Sequence, residues 1–425
     1  MTPWNVLVFP GGTEVGLEIQ RSLRHSRQVR LFSAGLPGSS HAPYVLARHF
    51  DLPGVHDPSW LERLQQLVAE HGIHYIFPAH DDVLLALAEN SHRLAARVVT
   101  SPAETCRIAR SKSATYRLLD GVLPVPRLYP GADAVDCYPV FLKPDRGQGS
   151  QHTHLARTRE EALRILGEGR GHLLLELLPG EEYTVDCFSD RERGLLFCGA
   201  RLRVRTRNGI AMNSRPARDP AFERHARAIA AKLEFHGAWF FQLKRDRRGV
   251  LKLMEVAPRI AGTMALHRVV GVNFPLLSLF EQERLPVEIL PNPVEVEIDR
   301  ALANRYRHAL DYKAVYVDLD DTLLLGGRVN TDLVRFLYQC VNRGIPIALL
   351  TRHAGDLDAT LEAHRLRGLF DRQVHLPAAE AKAGFIREPG AILIDDSFRE
   401  RSEAIRRGIP AFDCSMVEML FDDRT

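Results

Sequence analysis

An alternation of apolar strand, tight turn and amphipathic helix opens the chain, breaks off near residue 105, and begins again at Ala314 after a long strand-rich stretch. That order constrains the fold more than any single residue does. The opening run Asn5-Val-Leu-Val-Phe9 is followed by Pro-Gly-Gly-Thr-Glu-Val-Gly16 and a periodic segment from Leu17 to Leu23. A second strand at Val29–Ser33, a helix around Trp60–Glu70 and a strand at 74–78 continue the pattern, which implies a parallel sheet covered by helices. The middle carries strands at 138–143, 172–177, 182–188, 194–202, 238–244 and 250–256 with few helices between them. From Val315–Val317 the alternation resumes through 346–350 and 391–394. Residues 285–311, rich in Pro and charge, read as a connector. A chain of 425 residues with this order predicts three folded segments.

Composition excludes several classes. With 45% apolar and 26% charged residues the chain is an ordinary globular one, and 56 basic against 53 acidic residues leave a net charge of +3, too little field for a nucleic-acid partner to be expected. No uninterrupted apolar run is long enough to span a membrane, and the start lacks a basic leader. Six scattered Cys without a Cys-x-x-Cys pair fit reduced thiols and a cytoplasmic location. Only seven of the basic residues are Lys, so each Lys draws attention.

Two of them sit beside unusual local sequence. Lys143 closes the strand Tyr138-Pro-Val-Phe-Leu-Lys143 and precedes Pro144-Asp-Arg-Gly147-Gln-Gly149-Ser150, a loop whose glycines let backbone amides approach an anion. Read alone, that loop is equally a hairpin turn. Leu173-Leu-Leu-Glu176-Leu-Leu178-Pro-Gly-Glu-Glu182 is an apolar strand broken by Pro-Gly and re-entered through carboxylates. Trp239-Phe-Phe-Gln242 and Leu253-Met-Glu255-Val-Ala257-Pro-Arg259 place single polar groups in apolar strands, where a charge needs a partner or a metal. The alternating run Arg201-Leu-Arg-Val-Arg205-Thr-Arg207 is either an anion contact through Arg205 and Arg207 or a solvated strand face.

In this order the motifs resemble the ATP-grasp superfamily, over about 270 residues from Gly11 to Phe280, and most closely its carbamoyl-phosphate-synthetase-like and carboxylate–amine ligase branch. The resemblance implies that Lys112 and Lys143 contact nucleotide phosphates while Gly147, Gly149 and Ser150 close over them. It implies further that Glu176 and the backbone near Leu178 meet the adenine, that Glu182 meets the ribose, and that Gln242 and Glu255 hold Mg2+, with Mn2+ as an admissible substitute. Arg259 would face the transferred phosphate or the substrate. One departure stands out: the family pattern is Glu-x-Asn-Pro-Arg, and here Ala257 replaces the Asn, removing an oxygen ligand. Gly11, Gly12 and Gly16 depart from dinucleotide-binding spacing, and the second strand ends without an acidic residue, so no NAD site is expected. His80, Asp81 and Asp82 either line a substrate cleft or cap a helix.

Near the end, Val315-Tyr-Val-Asp318-Leu-Asp320-Asp-Thr322 places two carboxylates just past a buried strand. With Ile347-Ala-Leu-Leu-Thr351, Lys382 and Ile392-Leu-Ile-Asp395-Asp396 following in order, residues 312–425 resemble the haloacid dehalogenase (HAD) superfamily. That resemblance implies Asp318 as a nucleophile, Asp320 as general acid/base, Thr351 and Lys382 as phosphate-steadying groups, and Asp318, Asp320 and Asp395 or Asp396 around Mg2+. Only a turn and one helix fit between Thr322 and Thr351, so no large cap is expected.

The fold implied is thus an α/β and α+β multidomain protein. It has a Rossmann-like pre-ATP-grasp domain (1–105), an ATP-grasp domain (106–290), a connector (291–311) and a HAD-like Rossmannoid phosphatase domain without a large cap (312–425). The function implied joins ATP- and Mg2+-dependent ligation of a small carboxylate to an amine with hydrolysis of a phosphate ester, in a chain that admits a homodimer. Such fusions resemble ATP-grasp proteins of tellurite-resistance and stress operons. The alternatives are a nucleotide-binding regulator whose only active enzyme is the phosphatase, and a nucleic-acid end-processing protein.

Overall fold

The computed structural model describes residues 2–424 except 148, 150, 378 and 379. The chain divides into two compact units, the first ending at Leu302 and the second running from Ala303 to Asp423. The division falls inside the stretch that the sequence marks as a connector. No helix among the described residues is long and apolar enough to cross a membrane.

The first unit opens with β1 (Trp4–Phe9), β2 (Val29–Gly35), β3 (His49–Asp51), β4 (Tyr75–Pro78) and β5 (Arg97–Val98), a parallel sheet ordered β3-β2-β1-β4-β5. Val6, Leu7 and Val8 are all fully buried because helices cover both faces, which explains a continuous apolar run in place of alternation. The glycines after β1 serve packing. Thr13 caps the helix Glu14–Leu23 by accepting from the Gly16 amide at 3.0 Å. A Cβ on Gly16 would lie 2.6 Å from the Gly11 carbonyl oxygen and 2.8 Å from that of Pro10.

Next come β6 (Leu128–Tyr129), β7 (Val140–Pro144), β8 (His154–Ala156) and β9 (His172–Glu176), an antiparallel sheet ordered β6-β9-β7-β8. A larger antiparallel sheet follows, built from β10 (Glu182–Asp190), β11 (Gly194–Arg207), β12 (Ile210–Ala217), β13 (Gly237–Arg245), β14 (Leu251–Ala257) and β15 (Ile298–Asp299). Its order is β14-β13-β10-β11-β12-β15. Along β13 the side chains alternate: Trp239, Phe241 and Leu243 enter an apolar core with Phe222, Phe235 and Leu253, and Trp239 stacks on Phe235 at 3.9 Å between ring centres. Gln242 and Lys244 therefore point to the opposite face. β15 pairs with β12, so residues 298–299 belong to this sheet and not to a free connector.

The second unit carries β16 (Ala314–Val317), β17 (Leu324–Leu325), β18 (Arg328–Val329), β19 (Ile347–Thr351), β20 (Arg372–His375), β21 (Ala391–Ile394) and β22 (Ala411–Phe412). Five of these form a parallel sheet ordered β20-β19-β16-β21-β22, and β17–β18 is a separate hairpin turned by Gly326 and Gly327, both at positive φ. Between Thr322 and Thr351 the chain thus holds this hairpin and the helix Thr331–Asn342, one small element more than the sequence suggested.

Because Gly16 meets backbone atoms that cannot swing aside, Gly16→Ala should lower unfolding stability by about 1–3 kcal/mol. Gly368→Ala, where an added Cβ meets nothing within 4 Å, should leave it within about 0.5 kcal/mol. Urea denaturation of the two variants checks this; equal midpoints would contradict the packing argument.

Candidate functional site

Two adjoining cavities lie over the polar face of the large sheet. The smaller, about 170 Å³, is lined by Lys112, Lys143, Gly147, Gly149, Glu182, Gln242 and Glu255 among others. The larger, about 710 Å³, shares Gly149, Gln242 and Glu255 and extends past Thr13, Glu14, His80 and Asp81 to Arg201, Arg203, Arg259 and Arg300.

Strand register explains how the sheet supplies this wall. Gln242 on β13 faces Thr184 on β10 and Glu255 on β14, and Thr184 faces Arg201 on β11. Glu255 reaches that line through a bulge: Leu243 pairs with Leu253, yet Gln242 pairs with Glu255, leaving Met254 as the extra residue. Without the bulge Glu255 would lie opposite Phe241. A second bulge, in β11 between Arg203 and Thr206, separates the arginines: Arg201 and Arg203 are drawn into the cavity wall, whereas Arg205 is exposed and pairs with Asp299 and Arg207 is exposed. Of the two readings of this run, the solvated strand face holds for Arg205 and Arg207, while Arg201 and Arg203 line the cavity.

The lysines are held by neighbouring backbone and hydroxyl oxygens. Lys112 begins the helix Lys112–Leu119 and donates to the Gly147 carbonyl at 3.0 Å. The Asp145 carboxylate accepts from the Ser113 amide at 2.7 Å and from the Ser111 hydroxyl at 2.8 Å, tying the glycine loop to that helix start. Lys143 is buried and donates to the Tyr116 hydroxyl at 2.8 Å, which in turn donates to the Met254 carbonyl at 2.8 Å. Burial, reinforced by the neighbouring Lys112 charge and opposed by Glu255 and Glu182, pushes the Lys143 ammonium down to about 7. Gly149 sits at φ +59, in the left-handed region open to glycine; Ser150 lies outside the described residues.

Other expected residues are placed differently. Glu182 lines the smaller cavity and pairs with Arg203 at 3.1 Å and Lys244 at 3.5 Å. Glu176 does not join Lys143. It sits opposite Val140 in register while Lys143 sits opposite Leu173, so the two point to opposite faces, and the Glu176 carboxylate binds Lys252 and the Arg127 amide beside a separate cavity. Leu178 is buried. Ala257 is buried in the apolar core beside Phe240 and offers no oxygen to the cavity. Arg259 is already engaged: its Nε and a terminal nitrogen donate to the two oxygens of Asp81 at 2.6 and 3.0 Å. Burial opposes ionisation of Asp81, but the Arg259 guanidinium outweighs it and lowers that carboxyl to about 2. His80 and Asp81 line the cleft, and the helix Asp81–Glu89 is capped by His80, whose Nδ1 accepts from the Asp82 amide at 3.3 Å, and not by the Asp pair. Asp82 pairs with Arg110 at 2.6 Å.

In the second unit Asp318 follows β16, and Asp395 and Asp396 follow β21, adjacent parallel strands. Their carboxylates come within 4.8 Å of one another. Lys382 bridges Asp318 at 2.7 Å and Asp395 at 2.6 Å. Burial raises the Asp318 carboxyl to about 6, opposed by Lys382 and aided by the Asp395 charge. Asp320 is outside this cluster: its carboxylate, half exposed, meets His353 Nδ1 at 3.0 Å, which corrects its expected place among the metal ligands. Thr351 is buried and its hydroxyl accepts from the His353 amide at 3.2 Å. Thr322 donates to Asp396 at 3.2 Å. His353, two residues past the hydroxyl-bearing strand end, was not singled out from sequence, since a lone His in a loop carries no pattern.

Comparison with known proteins speaks to the first unit. Residues 169–300 match a family described as ATP-grasp in the biosynthetic pathway with Ter operon. No curated protein sequence matches the chain. Several solved structures share the fold. The biotin carboxylase domain of Hydrogenobacter thermophilus 2-oxoglutarate carboxylase, in complex with MgADP, ADP and bicarbonate, is 17% identical over 67% of this chain and 70% of its own, with a TM-score of 0.56. The L-amino acid ligase from Bacillus licheniformis is 18% identical over 68% and 78%, with a TM-score of 0.52. N5-carboxyaminoimidazole ribonucleotide synthetase in its ADP complex is 14% identical over 81% and 86%, with a TM-score of 0.57. The first unit shares the fold of these proteins, and residues 169–300 within it match the ATP-grasp family model.

Lys143 gives a pH signature. Below its folded value of about 7 both folded and unfolded chains are protonated and the fold bears the cost of the buried charge. That cost is relieved as pH rises from there toward the ordinary lysine value near 10.5. Lys143→Met should therefore raise stability by roughly 2 kcal/mol at pH 6, with the gain fading by pH 10. Denaturant midpoints across that range check it, and a gain that grows with pH would contradict it.

Proposed function

We propose that the first unit is an ATP- and Mg2+-dependent ligase joining a small carboxylate to an amine through an acyl phosphate, in small-metabolite biosynthesis or a stress response. The observation that carries this is the grouping of Lys112, Lys143, Glu182, Gln242 and Glu255 around one small cavity that opens into a larger one. The ADP named for two of the structural relatives, the magnesium named for one and the ligase activity named for another support it. So does the family description, which names a biosynthetic pathway.

In this reading Lys112 and Lys143 neutralise the nucleotide phosphates together with backbone amides around Gly147 and Gly149, and Glu182 takes the ribose. Gln242 and Glu255 fit a sparse oxygen donor set for Mg2+, which, when bound, offsets charge on the phosphate oxygens. The substrate carboxylate attacks the γ-phosphorus as the bond to ADP breaks. The amine then attacks the acyl carbon, phosphate leaves and the amine loses a proton. Phosphate arriving beside Lys143 restores its proton, so the cation forms where charge must be balanced. Arg259, locked by Asp81, presents a fixed guanidinium at the cleft and stays protonated throughout, transferring no proton.

The second unit is proposed as a HAD-type phosphohydrolase acting on a phosphate ester. Asp318 attacks phosphorus, Asp320 protonates the leaving oxygen, and water releases phosphate from the aspartyl intermediate. Lys382 and Thr351 steady the phosphate oxygens. Asp318, Asp395 and Asp396, three oxygen donors within 4.8 Å, fit Mg2+, which supplies charge neutralisation there when bound. One observation favours a second reading of the first unit: Ala257 leaves the metal wall one oxygen short, as in a nucleotide-binding regulator that senses ATP without turning it over.

Lys143→Ala should reduce ATP consumption over a panel of amino acids and amines by at least about 100-fold while sparing hydrolysis of an aryl phosphate; Asp318→Asn should do the reverse. Phosphate release and ADP formation are the readouts. Loss of both activities in either folded variant would contradict two independent sites, and no ADP formation by the unaltered chain with any pair would favour the regulator.

A further inference from the structure

We infer that the acid substrate of the proposed ligase carries a second oxyanion, and that Thr184 and Arg201 hold it at the wall of the large cavity away from Glu255. This rests on the ligase reading and names the substrate class of the same site.

Thr184 and Arg201 are register partners on β10 and β11, each 2% exposed or less, and both line the large cavity. The Thr184 hydroxyl and one terminal nitrogen of Arg201 have no hydrogen-bond partner among the described residues. Arg201 is oriented by Asp186, which accepts from Nε at 2.7 Å and from the other terminal nitrogen at 3.2 Å, so the remaining nitrogen is the free edge of a fixed fork. Two buried donors side by side, one of them charged, match an acceptor with more than one oxygen.

The surrounding charge points the same way. Arg300 lines the same cavity, its side chain donates to the Ala211 carbonyl at 3.4 Å and forms no ion pair among the described residues, and the Glu14 and Glu18 carboxylates act on it more strongly than the like charges of Arg21 and Arg201. Of the three carboxylates on that cavity, Asp81 is engaged by Arg259, Glu14 acts on Arg300, and Glu255 stands on the far strand. A water molecule would satisfy the orphan donors; the four guanidinium groups against three carboxylates on this lining favour a charged acceptor in its place.

Distance sets the shape of the ligand. Arg201, Thr184, Gln242 and Glu255 stand in one line across β11, β10, β13 and β14, so the backbone separation from Arg201 to Glu255 is three strand spacings, about 14 Å. With the reacting carboxylate near Glu255, the second anion stands off along the molecule. A short monoacid reaches one end only. The second group is a carboxylate or a phosphate, whose oxygens present the same acceptors.

Calorimetric titration of the full chain with a non-hydrolysable ATP analogue and Mg2+ present distinguishes these. The probes are glutamate against glutamine, aspartate against asparagine, and O-phosphoserine against serine. At least one dianionic member should bind ten-fold or more tighter than its neutral partner, and the pair that does so identifies carboxylate or phosphate as the second group. Thr184→Val and Arg201→Lys should bring that member down to the affinity of its neutral partner. Thr184→Val removes only an unbonded hydroxyl, which keeps the test open if the arginine variant fails to fold. Equal affinities within every pair, or variants that weaken both members alike, would overturn the proposal while leaving analogue binding, and the ligase reading, intact. Failure of the analogue itself to bind would overturn the ligase reading and the proposal together.

Discussion

A single register line across four antiparallel strands, Glu255 to Gln242 to Thr184 to Arg201, is the constraint on which the cleft depends. It is enforced from the opposite face. Trp239, Phe241, Leu243 and Leu253 must enter the core, and a one-residue slip of β13 would expose them while burying Gln242 and Lys244. The apolar face thus determines where the polar groups stand, and the bulge at Met254 adjusts β14 so that Glu255 joins them.

Compensation of buried charge then sorts structural from available groups. Arg201 with Asp186, Arg259 with Asp81, and Lys382 with Asp318 and Asp395 are buried or nearly buried pairs. Truncating one member of such a pair strands the other and costs about 3–5 kcal/mol. Lys143 differs: among the described residues the Tyr116 hydroxyl and the Met254 carbonyl hold it, and no carboxylate pairs with it directly. Its proton is therefore weakly held until an anion arrives. The same logic makes the Arg201 nitrogen that has no partner among the described residues informative about what enters the cleft.

Much of this was legible in the sequence because it follows period and spacing. Gln242 stood out as a single polar group in an apolar strand, the scarcity of Lys drew attention to Lys112 and Lys143, and the ordered motifs that resemble the HAD superfamily grouped Asp318 with Asp395 and Asp396. What escaped depends on events that period cannot show. Bulges chose Arg201 and Arg203 over Arg205 and Arg207 and moved Glu255 by one position. Strand pairing turned Glu176 away from Lys143 and drew Ile298–Asp299 into the sheet. Asp320 was assigned by its nearness in sequence to Asp318, yet it turns to His353, a partner in another loop that no local pattern announces.

The most direct test is a crystal structure of the chain with Mn2+ and a non-hydrolysable ATP analogue, read by the anomalous signal of the metal. The account expects a peak between Gln242 and Glu255 with the analogue's phosphates beside Lys112 and Lys143. Phosphates and metal lodged instead at the cavity beside Glu176, Arg247 and Lys252, with Gln242 and Glu255 bare, would contradict it.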